Sequence, residues 1–279
     1  MRRFTILPVV FLWMLLSNCG KDDSALSFNT PRNIYDLAVE GGINTYTKTQ
    51  YIRLSKPAFH PDSLPKPISD AHVEVNDGSR NIAFSETSVA GVYSGIIERN
   101  NNYNQAYKLT IRYNNKEYTA SDTLRQVVNI IDDFIPLSVV RVSGDKVKIT
   151  IPKHTFGYLN PSRWMIAYSG IPFWNPSRFE EMLYYSYTHS RGSPNSQYPL
   201  TDQNRESELP QDGIITIYKF SLSENYARYL YSLFQETEWR GVFSGTPARA
   251  RGNITGNAEG YFSVTDVDMR RYRAGELVR

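Results

Sequence analysis

The sequence has one cysteine in 279 residues, four histidines and a formal net charge of only +3. Each shortage closes a class of answers. A lone thiol cannot build a disulfide framework, so stability must come from buried apolar surface. His60, His72, His154 and His189 lack metal-ligand spacing, which argues against a zinc centre, and no cofactor motif is present, so none is expected. Two positive charges, Arg2 and Arg3, lie in a leader. The body is then near neutral, and nucleic-acid binding gets no electrostatic support. There is no Gly-x-Ser-x-Gly elbow and no phosphate-cradling glycine loop. Asp132-Asp133 and Glu180-Glu181 are adjacent carboxylates, which in a strand point to opposite faces and cannot flank one sugar. The reading is therefore of a non-enzyme, with a carbohydrate-active hydrolase as the remote alternative.

What is there begins at the cysteine. Arg2 and Arg3 precede an apolar stretch, Phe4 to Leu16, too short for a permanent membrane span. Leu16-Ser17-Asn18-Cys19 resembles a lipobox, in which the cysteine is acylated and becomes the new N-terminus, with Asn18 departing from the usual small residue. Residues 1–18 are expected to be a lipoprotein signal peptide and 19–33 an acylated tether holding the chain to the outer membrane through Cys19. Lys21, Asp22 and Asp23 look like a short signal for export to the cell surface.

From residue 34 the pattern turns to strands. "DLAVEGGI" and "QYIRLS" flank a polar turn, and "DAHVEVNDG" alternates Val73 and Val75 against His72 and Glu74 before an Asp-Gly turn. In "YKLTIRYNNKEYTAS", Tyr107, Leu109 and Ile111 alternate with Lys108, Thr110 and Arg112 around the tight-turn pair Asn114-Asn115. The expected fold is mostly β: an immunoglobulin- or transthyretin-like sandwich over 34–125, then a second β-rich region over 126–279 with one amphipathic helix.

That helix is placed near 222–238. Ser221 and Glu224 fit a capping box, and Tyr226, Tyr229, Leu230, Leu233 and Phe234 form an apolar stripe opposite a wet face of Glu224, Arg228, Ser232 and Gln235. Residues 191–211 read as a long polar loop. Among the aromatics between Trp164 and Tyr187, "GIPFWNP" reads as a loop, which makes Phe173 and Trp174 candidates for partner contact.

The segment "FSGTPARARGNITGNAEGYFSVTDV", with the earlier "VEGGI", "PISDAHVEVNDG" and "YKLTI…EYTAS" stretches in the same order, resembles the Bacteroidetes outer-membrane lipoproteins catalogued as domain of unknown function 4249. The resemblance implies a lipid-anchored protein facing the cell exterior, with a TonB-dependent transporter barrel as partner in nutrient uptake. It implies no activity. A structural or adhesive envelope protein is the alternative. In this segment Gly252 and Gly256 suit turns of positive φ, Ile254, Tyr261, Phe262 and Val264 suit buried strand positions, and Asn253 suits bonds to local backbone.

Overall fold

The structure is a computed structural model that describes residues 35–58, 64–157, 160–169, 184–191, 198–238 and 250–278. The first strands are β1 (Leu37–Asn44), β2 (Thr49–Lys56), β3 (Lys66–Pro67), β4 (His72–Asn76), β5 (Asn81–Glu86), β6 (Val92–Ile96), β7 (Ala106–Tyr113) and β8 (Lys116–Thr123). Next come β9 (Ser138–Arg141), β10 (Lys146–Ile151), β11 (His154–Phe156), β12 (Ser162–Ala167) and β13 (Ser186–His189). After them lie β14 (Arg205–Pro210), β15 (Ile214–Ser221), helix α1 (Glu224–Thr237), β16 (Ala258–Thr265) and β17 (Val267–Arg273).

Alternation decides the first half. In β7, Tyr107, Leu109 and Ile111 are fully buried while Lys108 and Arg112 are exposed, as a half-buried strand requires. Asn114 and Asn115 take φ of 49° and 58°, the left-handed pair that closes a two-residue hairpin with matching twist. The sheet runs β16-β1-β2-β6-β5-β4-β7-β8, with β3 beside β2, and curls into a β-sandwich around Leu37, Ile52, Leu54, Val75, Leu109 and Phe262.

A boundary at 125 does not enclose this sheet. Its edge strand β16 comes from the C-terminal stretch and pairs in parallel with β1, Leu37 opposite Ala258 and Asn44 opposite Thr265. The open side is closed by residues 253–255. Thr255 N–H donates to Thr119 O at 2.7 Å, and Asn253 Nδ2 donates to Ser121 O and Phe262 O at 3.0 and 2.8 Å. Asn253 thus bonds backbone on both strands that it separates.

The second half is a sandwich of two sheets, β14-β10-β9 and β11-β13-β12-β15-β17, with Val139, Val147, Ile149, Trp164, Ile215 and Ile217 between them. The polar loop expected over 191–211 contains β14. Its lysine-facing carboxylates, Glu206 and Glu208, lie 2.7 Å from Lys148 and 4.0 Å from Lys146 on β10, and only Leu209 is buried. One residue, Asp266, separates β16 in the first sheet from β17 in the second. Its carboxylate accepts from Thr45 Oγ1 at 2.6 Å and Val127 N–H at 2.9 Å, and its own N–H donates to Ser221 Oγ at 2.8 Å. The two sandwiches are therefore tied at a shared, hydrogen-bonded joint.

Helix α1 follows β15 directly. The cap is Ser223, whose Oγ accepts from Tyr226 N–H at 3.1 Å, so the Ser221–Glu224 capping box does not form and Ser221 serves the joint instead. Of the expected stripe, Tyr226 and Phe234 are buried and Tyr229, Leu230 and Leu233 are half-buried. Phe234 packs on Phe156 and Leu200, while Tyr226 and Tyr229 stack on Tyr261 at 4.7 and 4.8 Å.

Candidate functional site

The expected site residues Cys19, Lys21, Asp22, Asp23, Phe173 and Trp174 lie outside the described residues. What the fold does assemble is a groove of about 790 Å³ where the helix passes the end of the first sandwich and the edge of the second. Glu224, Ala227, Arg228, Tyr231 and Gln235 form its helical wall, largely the face expected to be wet. Tyr187, His189, Ser190 and Arg191 line it from β13 and the turn beyond, Pro161 and Ser162 from the start of β12, and Arg125 from the end of the first sandwich.

Behind the groove wall lies a relay that spacing along the chain does not reveal. β11 and β13 pair in parallel, Phe156 opposite His189, and their period-two alternation puts His154, Phe156, Tyr187 and His189 on one face. The helix covers that face with Phe234, whose ring sits 4.2 Å from His154 and 5.2 Å from His189. Glu238, just past the helix end, accepts from His154 Nε2 at 2.7 Å, and His154 Nδ1 lies 3.0 Å from His189 Nε2.

The proton positions follow from chemistry. Burial lowers the affinity of His154 for a proton, and burial with the neighbouring His154 pulls His189 down to about 3. The bond from His154 holds the Glu238 carboxyl below its usual range. At neutral pH the carboxylate can only accept, so His154 donates from Nε2 and its Nδ1 accepts from His189 Nε2–H. His189 Nδ1 is left as a bare acceptor, without a hydrogen-bond partner among the described residues. Among those residues no group of histidine, cysteine and carboxylate side chains is arranged to hold a metal.

The pair makes stability depend on pH. Both histidines have folded-state affinities below the ordinary value near 6.5, so the unfolded chain takes up protons first as pH falls and stability is lost below that value. At pH 5 the unfolded imidazole is about 1.5 units past its midpoint, worth about 2 kcal/mol for His189 alone at ~1.4 kcal/mol per unit. Urea melts at pH 7.5 and pH 5.0 should differ by about that much, and His189→Asn should reduce the difference. Equal midpoints at both pH values would mean that the pair is solvated.

A buried cation lies deeper. The Arg163 guanidinium, on β12, is boxed by the rings of Tyr185 at 4.7 Å and Phe220 at 4.8 Å and donates to Tyr226 Oη at 3.1 Å, pinning the helix start to the sheet.

Fold and groove together define a β protein of two joined sandwiches with a polar, aromatic cleft beside their joint. The chain belongs to the family described as Domain of unknown function (DUF4249), which matches residues 25–271. No curated protein matches the sequence. Among solved structures, the FN1–FN3 domains of chicken CNTN1 are similar at 12% identity with a TM-score of 0.21, over 65% of this chain and 59% of that one. This chain therefore spans less than two thirds of that structure's length.

Proposed function

We propose that this protein is a surface-exposed, lipid-anchored outer-membrane lipoprotein of the Bacteroidetes type that binds cargo without transforming it, as an accessory to a TonB-dependent transporter in nutrient uptake. What carries the binding half is the groove, a cleft of about 790 Å³ presenting arginines, tyrosines and a fixed imidazole acceptor beside a hydrogen-bonded joint. A catalytic role would ask His189 to take a proton. With its affinity pulled down to about 3, it suits a hydrogen-bond acceptor better than a general base.

The anchoring half rests on Cys19, the single cysteine, placed after an apolar run and before Lys21, Asp22 and Asp23. Contact with the barrel is assigned to Phe173 and Trp174. Replacing Cys19 by alanine should shift the protein from the membrane fraction to the soluble fraction, or leave it as uncleaved precursor. Normal maturation with unchanged membrane attachment would remove the lipoprotein reading.

A further inference from the structure

The groove offers an unbalanced set of charges. Arg125, Arg191 and Arg228 are all exposed along it, and among the described residues of the lining the one carboxylate, Glu224, is taken by Arg228 one helical turn away. Arg125 donates to Asn104 Oδ1 at 2.8 Å and feels the Asp122 carboxylate only at longer range, and neither it nor Arg191 forms a salt bridge with a carboxylate among the described residues. Two guanidinium groups with donors to spare therefore face one cleft, a geometry suited to carboxylate or phosphate oxygens.

Beside them sits the His189 acceptor. The Glu238–His154–His189 chain fixes the tautomer, so Nδ1 accepts and never donates while the pair is neutral. A ligand that satisfies it must bring a donor close to its negative group. Tyr187, stacked on His189 at 6.2 Å, and Tyr231, edge-on to it at 5.5 Å, add aromatic surface; Ser162 and Ser232, whose hydroxyls already donate to Asn160 O and Arg228 O, can accept from a ligand hydroxyl, and Ser190 adds a third hydroxyl. A carboxylate among hydroxyls, on a ring with flat C–H faces, meets all of these at once.

We propose that the groove binds an acidic saccharide, with the carboxylate held by Arg125 and Arg191 and a sugar hydroxyl donating to His189 Nδ1. The proposal deepens the cargo reading above and rests on it only for the groove being a binding site. The anchor and the transporter do not enter. The test is titration calorimetry on the full chain in detergent, with oligogalacturonate as probe, a neutral galacto-oligosaccharide of the same length as its uncharged match, and hexaglutamate as an acidic chain without sugar.

Oligogalacturonate should bind and the other two should not. Arg125→Ala and Arg191→Ala should each weaken binding by about tenfold or more, as expected for a charge-assisted pair, whereas Arg99→Ala, an exposed arginine outside the groove, should leave it unchanged. His189→Phe should weaken binding similarly and His189→Asn, which restores an acceptor, should recover it. Should His189→Phe fail to fold, the two surface arginines decide alone. Absence of oligogalacturonate binding, equal binding of the neutral sugar, preference for hexaglutamate, or an equal loss in Arg99→Ala would overturn the proposal. Loss of the saccharide with Cys19 still acylated would leave the envelope reading standing, so the two failures are separable.

Discussion

Replacing Asp133 by alanine is expected to destabilise the protein by about 3–5 kcal/mol, the usual cost of stranding a buried charge. The charge is Lys219, on β15, whose side chain is 1% exposed and pairs with Asp133, itself 8% exposed. Lys219 Nζ also donates to Val128 O at 2.8 Å and sits 5.0 Å from the centre of the Trp164 ring. The pair clamps residues 128–133, the connector between the sandwiches, over the end of the second core. Without Asp133 the ammonium keeps one carbonyl and a ring face, too little to offset its lost hydration. Replacing both partners, Asp133→Ala with Lys219→Met, should recover most of the loss, because no charge then remains to be desolvated. Urea melts of the single and double variants measure this. A single variant within about 0.5 kcal/mol of wild type would place the pair in solvent.

The same pair shows what the sequence can and cannot convey. Asp132-Asp133 read as adjacent carboxylates of no catalytic use, and nothing in that reading pointed to a lysine 86 residues away. The strands of the first sandwich were legible because Val73, Val75, Tyr107, Leu109 and Ile111 alternate with polar residues on one solvated face. β14 was not legible, since an edge strand with Glu206, Glu208 and a terminal Pro210 carries the charges and proline that protect open edges and has one buried residue to betray it. The helix was legible from its apolar spacing, but its cap was misplaced by two residues because Ser221 and Ser223 present the same chemistry to the eye. The His154–His189–Glu238 relay depends on a parallel pairing of two short strands and on where a helix ends. Local spacing encodes neither.

Gly260→Ala is expected to cost about 2–6 kcal/mol, from backbone strain at positive φ together with overpacking. Gly260 has φ of +107°, which side-chain-bearing residues rarely adopt, and a Cβ there would stand 2.0 Å from the carbonyl oxygen of Val39, its partner in the β1–β16 pairing. The obstacle is backbone, which cannot swing aside as a flexible side chain can. Gly252, expected to serve a turn of positive φ, has a different reason to be glycine: a Cβ would lie 1.7 Å from Gly260 O, so Gly260 is crowded by the backbone of Val39 and itself crowds Gly252. Gly144 separates the two contributions, for it has φ of +70° with nothing within 4 Å of a Cβ, and Gly144→Ala should cost only the conformational part, about 1–2 kcal/mol. Because β16 runs into Asp266 and then β17, the strand that Gly260→Ala prises from β1 also holds the joint between the sandwiches. The variant should therefore expose 125–137 to limited proteolysis as well as lower the urea midpoint, whereas Gly144→Ala should not open the connector. Equal losses in the two variants, with the connector still protected, would mean that strain at positive φ rather than the close approach of the strands sets the requirement for glycine at 260.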